Sequence, residues 1–141
     1  MRFLKIIYFS QYYELKNSGR DPQKGRLNGT LLSAVIIMLN IISMIILLFK
    51  LAPNSHLVTW LQSFTTGHED DGKIMGKFYG AIFLVMIGGL LRYTIGTKNS
   101  YNKIADEYLL LPDEVQKKTL KQSLYIFLIS FGLTLLLIFM C

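Results

Sequence analysis

Three groups of residues in this chain have types that could do chemistry. The first is a set of hydroxyl and amide side chains set inside apolar runs: Ser33, Asn40 and Ser43 in one, Ser130 and Thr134 in another. On a helical wheel Gly29, Ser33, Asn40 and Ser43 fall within about 80° of one another, and Ser123, Ser130, Thr134 and Cys141 within about 40°. Such stripes can hydrogen-bond helix to helix in lipid, or line a path for a solute or ion. Gly76, Gly80, Gly88 and Gly89 of the remaining run, with Ala81, belong beside them, because small residues let helix backbones approach closely. No Asp, Glu or His interrupts any of these runs, so they hold no proton relay or haem ligand of the usual kind. Packing is therefore the expected use, and no cofactor is expected.

The second group is His56, His68, Glu69, Asp70 and Asp71, whose imidazoles and carboxylates are metal-ligand types. Their spacing matches neither the alternating carboxylates of a calcium loop nor H-E-x-x-H, and adjacent acids in a polar loop read as a solvated turn. The third group is Asp106, Glu107, Asp113 and Glu114, beside a run that contains no carboxylate. Small three-span lipid kinases share the topology superficially. Their chemistry needs carboxylates and an Asn close to the membrane, and the pattern here is that of charged helix faces. An enzyme acting on lipid is accordingly the least favoured reading, and neither catalytic nor metal residues are assigned.

The elements that would position these groups are helices in a membrane. Only 17% of residues are charged, against about 25% in soluble domains, and the apolar residues are gathered into runs. The expected fold is an all-α membrane protein with three transmembrane helices, a single membrane domain over residues 1–141. The first span is placed at 31–49, the second at 74–95 and the third at 122–140. The uncharged run from Leu31 to Phe49 makes about 28 Å of helix, close to the thickness of the hydrocarbon core. The second span has a short uncharged centre, bracketed by Lys77 and Arg92 with Tyr79 and Tyr93 beside them. These read as snorkelling and interfacial anchors. Glycine-rich as it is, this span is expected to be the centre of helix contacts.

The cationic residues orient the spans. Of 15 Lys and Arg, six precede the first span, three lie between the first and second, and six between the second and third. The positive-inside rule then gives a cytoplasmic N-terminal segment over 1–27, an external loop over 50–73, a cytoplasmic loop over 96–121 and an external C-terminus. Phe3 to Tyr13 is too short to span and lacks a cleavage site. It reads as retained, with Arg2, Lys5 and Lys16 on the side facing an anionic surface. In the external loop Leu57, Trp60, Leu61 and Phe64 suit a short amphipathic helix with Trp60 at headgroup depth. In the cytoplasmic loop Tyr101, Ile104, Ala105 and Tyr108 share a face, and Pro112 suits the start of a helix that runs on into the third span. Ile-, Lys-, Asn- and Tyr-rich usage suggests an AT-rich bacterial genome, and hence the cytoplasmic (inner) membrane.

These readings converge on a small accessory or structural subunit of a larger membrane complex, held by helix packing. Its partners would be other integral subunits and membrane lipids, and no nucleic acid. The alternative is a homo-oligomeric transporter or channel lined by Asn40, Ser130 and Thr134.

Overall fold

The computed structural model describes the backbone of residues 2–65 and 71–140, and the side chains of residues 2–60 and 79–140. His68, Glu69, Asp70 and Cys141, and the side chains of Leu61, Phe64, Asp71, Gly76 and Lys77, lie outside the described residues. Within them the chain is helical: α1 Arg2–Asn17, a 3-10 turn Pro22–Lys24, α2 Gly25–Leu51, α3 His56–Thr65, α4 Asp71–Thr94, α5 Lys98–Leu109 and α6 Asp113–Phe139.

Local signals set these boundaries. The α1–α2 turn uses Gly19 at φ 68°, a left-handed conformation that only glycine adopts without strain. Asp21 accepts a hydrogen bond from the Gln23 amide, with Pro22 next to it. The Ser55 hydroxyl accepts from the Val58 amide at the start of α3, and the Thr97 hydroxyl from the Ser100 amide at the start of α5. Pro112 caps α6, and Asp113 and Glu114 lie in its first turn, at the positive end of the helix dipole. The buried Gln116 side chain donates to the Leu111 carbonyl (2.8 Å), tying the α5–α6 turn to the helix that follows.

Two helices, α2 and α6, are long and apolar enough to cross a membrane. The described part of α4, Tyr79–Thr94, is a third candidate taken together with α5, from which it is bent by 69°. The chain is thus a helical membrane protein with two or three candidate spans. α2 starts earlier than the first apolar run, at Gly25, and α6 is one continuous helix from the charged segment into the apolar one.

The hub of the fold is α2, which packs against α1, α4 and α6. The expectation that the glycine-rich second span would be the centre of contacts is not met among the described residues. Leu91 is the buried hydrophobic residue of α4 there, and a Cβ built on Gly88 or Gly89 would meet nothing within 4 Å. The close approach is made instead by Gly25 and Gly29 of α2. A Cβ on Gly29 would lie 2.9 Å from the Tyr8 ring, and one on Gly25 would collide with the Tyr101 hydroxyl.

α1 is the element that differs most from expectation. Leu4, Ile7, Tyr8, Phe9 and Ser10 are buried, and the helix packs against α2, α5 and α6. Tyr8, Phe9, Tyr101 and Ile104 form one core, in which Phe9 stacks on Tyr108 at a ring-centroid distance of 4.8 Å. Leu4, Ala34 and Leu91 form a second. Apolar residues surround α1 because three helices touch it, and this is why its sequence carries so weak an amphipathic signal.

Candidate functional site: a polar seam between parallel helices

The hydroxyl and amide stripes of α2 and α6 face each other. Ser43 Oγ and Thr134 Oγ1 are 2.8 Å apart, and Asn40 Nδ2 donates to Ser130 Oγ at 3.1 Å. Residue numbers rise together along both helices, so α2 and α6 are parallel. α1 continues the seam at one end, where Ser10 Oγ lies 2.9 Å from Ser123 Oγ. At the other end Lys50 Nζ donates to the Met140 carbonyl at 3.1 Å.

The protons can be placed by counting. Thr134 Oγ1 lies 2.8 Å from the Ser130 carbonyl, so with its single proton spent there it accepts from Ser43. Ser10 Oγ donates, its one proton divided between the Ile7 carbonyl at 2.8 Å and Ser123 Oγ at 2.9 Å. Asn40 uses both amide protons, one on the Ile36 carbonyl at 2.8 Å and one on Ser130. Asn40 is nonetheless exposed on the outer surface of α2. Ser33 is buried, and its hydroxyl has no hydrogen-bond partner. Chemically the seam is a set of groups committed to one another. That arrangement fixes helix register and leaves few free donors or acceptors for a moving solute.

A second polar network ties together the ends rich in basic residues. Arg26 donates through Nε and Nη2 to the Gly96 carbonyl at 3.2 and 3.1 Å, where α4 has just ended. A guanidinium at a helix C-terminus satisfies orphan carbonyls and suits the negative end of the dipole. Thr30 spends its proton on the Arg26 carbonyl (2.8 Å), so the Tyr8 hydroxyl donates to Thr30, also at 2.8 Å. Tyr101 donates to the Pro22 carbonyl at 2.8 Å, and Gln23 to Asn102 at 2.9 Å. Burial pushes both phenols, Tyr8 and Tyr101, above the ordinary phenol value, and keeps them neutral donors. These contacts gather α1, the start of α2, the end of α4 and α5 at one end of the molecule. α4 therefore runs antiparallel to α2.

The other residues marked by the sequence are placed as follows. A Cβ on Gly80 would touch Met38 Cε at 3.7 Å, an ordinary contact. Gly88 and Gly89 face open space. Tyr79, Arg92 and Tyr93 are exposed, as is Trp60 on α3, where Val58 is the buried residue. Glu107 pairs with Lys5 at 2.7 Å. Among the described residues no three His, Cys, Asp or Glu side chains are grouped to hold a metal ion. Gly25 and Ser10 are among the contributors to the site that lie outside the stripes read from the sequence. Gly25 extends the Gly29–Ser33 stripe by one more i−4 step, a signal present in the sequence. Ser10 has no local signal, because its partner is 113 residues away.

The seam and the network belong to an all-helical chain with two or three candidate membrane spans, and their polar groups are bonded from helix to helix. Searches of protein-family models, curated proteins and solved structures found no match to this chain.

Proposed function

We propose that this chain is a small integral subunit of a larger complex in the cytoplasmic membrane, acting through helix–helix packing. In this reading it crosses three times, with a cytoplasmic N-terminus and an external C-terminus. The observation that carries it is the small-residue face of α4. Gly88 and Gly89 have no neighbour within 4 Å of a Cβ position, so among the described residues nothing fills this face. Close-packing glycines in a membrane helix serve a second helix, and here that helix would come from another subunit. The orientation is supported by the charge count and by the gathering of α1, α5 and the starts of α2 and α6 at one end, away from Lys50.

The pathway alternative is weakened by the commitment of Asn40, Ser130 and Thr134 to interhelical and backbone bonds. The test is purification of the tagged chain in mild detergent with mass spectrometry of co-purifying chains. A stoichiometric integral-membrane partner is expected, lost in Gly88→Leu/Gly89→Leu while the variant keeps its helical content. Recovery of the chain alone, with solute flux in liposomes, would replace this reading with the transporter one.

A further inference from the structure

Independently of any partner subunit, the recess between α1, α5 and α6 has the makings of a binding site. Its volume is about 590 Å³, within the range of roughly 300–1,000 Å³ usual for small-ligand sites. Arg2 and Lys5 line it from α1, Glu107 from α5 and Lys118 from α6. Ile6 and Val115 supply apolar walls. Glu107 is the one acid in this lining and is already engaged, since Lys5 donates to it at 2.7 Å. Arg2 and Lys118 have no ion-pair partner among the described residues. Two cationic side chains thus line one concavity, and neither has an ion pair among the described residues. The recess also sits where α6 changes character: Lys118 and Lys121 lie just before the apolar run that starts at Ser123. That is headgroup depth for a helix entering a bilayer, and long basic side chains there are placed to meet phosphate.

We propose that this recess binds the phosphate of an anionic phospholipid headgroup, with Arg2 and Lys118 as its ligands and the aliphatic walls against the glycerol and upper acyl chain. Arginine can hold two phosphate oxygens through its planar fork, and lysine adds a point charge. Lys5 is held back from the phosphate by Glu107. A lipid bound in this way joins α1, α5 and α6 from outside and differs from diffuse attraction to an anionic surface in being saturable and local.

The test uses the full chain in mild detergent, titrated with phosphatidylglycerol or phosphatidylcholine and read by native mass spectrometry. One phosphatidylglycerol is expected to be retained at low lipid, with phosphatidylcholine much weaker. Arg2→Gln/Lys118→Gln should weaken that retention by about tenfold or more, each removed charge near the headgroup having a sizeable effect. Lys16→Gln/Lys98→Gln, which removes the same charge from exposed positions outside the recess, should leave it unchanged. Glu107→Gln should tighten it by freeing Lys5, a gain that no loss of folding can imitate. Equal weakening in the Lys16/Lys98 variant, or equal retention of the two lipids, would overturn the proposal. Displacement of phosphatidylglycerol by equimolar inorganic phosphate would overturn the lipid assignment in favour of a soluble anion.

Discussion

Replacing Gly29 by alanine adds one methyl group where α1 crosses α2 most closely, and its effect can be worked out from the contacts there. The new Cβ would lie 2.9 Å from Tyr8 Cδ1, 3.2 Å from Cγ and 3.3 Å from the Tyr8 Cα. The ring alone cannot give way, because the backbone of α1 is also in contact. Overpacking of this kind costs about 1–3 kcal/mol. Displacing the ring also strains the Tyr8–Thr30 hydrogen bond, worth about 0.5–1.5 kcal/mol. Against this stands the better helix propensity of alanine, about 1 kcal/mol. The net expectation is a loss of about 1–3 kcal/mol, or roughly 3–10 °C in melting temperature for a chain of this size. The same change at Gly88 or Gly89 meets nothing within 4 Å, so only the propensity gain remains and stability should hold or rise by up to about 1 kcal/mol. Thermal unfolding in a mild detergent micelle, followed by helical circular dichroism, compares the three variants side by side. Gly29→Ala melting at or above the parent would refute the close-approach argument, whatever the Gly88 variant does.

Ser33→Ala removes a buried hydroxyl that has no hydrogen-bond partner, so the variant should melt at or above the parent in the same assay. Thr134→Val keeps the volume and removes the oxygen shared by Ser43 and the Ser130 carbonyl. A loss of about 0.6 kcal/mol is expected, and a double-mutant cycle with Ser43→Ala should return a coupling of that size. Alkali should unfold the basic-rich end: Tyr8 and Tyr101 have folded-state values raised above the ordinary 10.0, so their contribution is full below pH 10 and is lost as pH climbs through the raised values. Tyr8→Phe/Tyr101→Phe should accordingly flatten the fall in melting temperature between pH 9 and 11, an interval spanning the ordinary phenol range. An unchanged alkaline slope would show that other groups control it.

The parts of the fold legible in the sequence are those where lipid leaves a side chain few choices. Asn40, Ser43, Ser130 and Thr134 need partners inside apolar helices, and each stripe finds the other. The face of α5 carrying Tyr101, Ile104 and Ala105 is buried, and its 3.6-residue period is plain because only one side of that helix meets protein. α1 gives no such pattern. Ile7, Tyr8, Phe9 and Ser10 are four consecutive buried residues, a run that no single helix face can hold. The contacts that bury them come from α2, α5 and α6, far along the chain and invisible to any local window. The glycines of α4 draw attention by composition, yet Gly88 and Gly89 face open space, and the close contacts are made by Gly25, against the Tyr101 hydroxyl, and Gly29, against the Tyr8 ring. A glycine's sequence records that space is needed, and only the neighbouring helix says whether it is filled.

The burial of α1 has a consequence for the order in which the protein can be made. Its serine pairs with a serine 113 residues later, and its lysine with a glutamate 102 residues later. At usual translation rates those partners leave the ribosome on the order of ten seconds after α1 does. Throughout that interval Ile7, Tyr8 and Phe9 have α2 to rest on but lack α5 and α6. α1 precedes its partners in the chain and is therefore among the last of these helices to be fully seated, and a chain stalled before α5 would leave its aromatic surface uncovered.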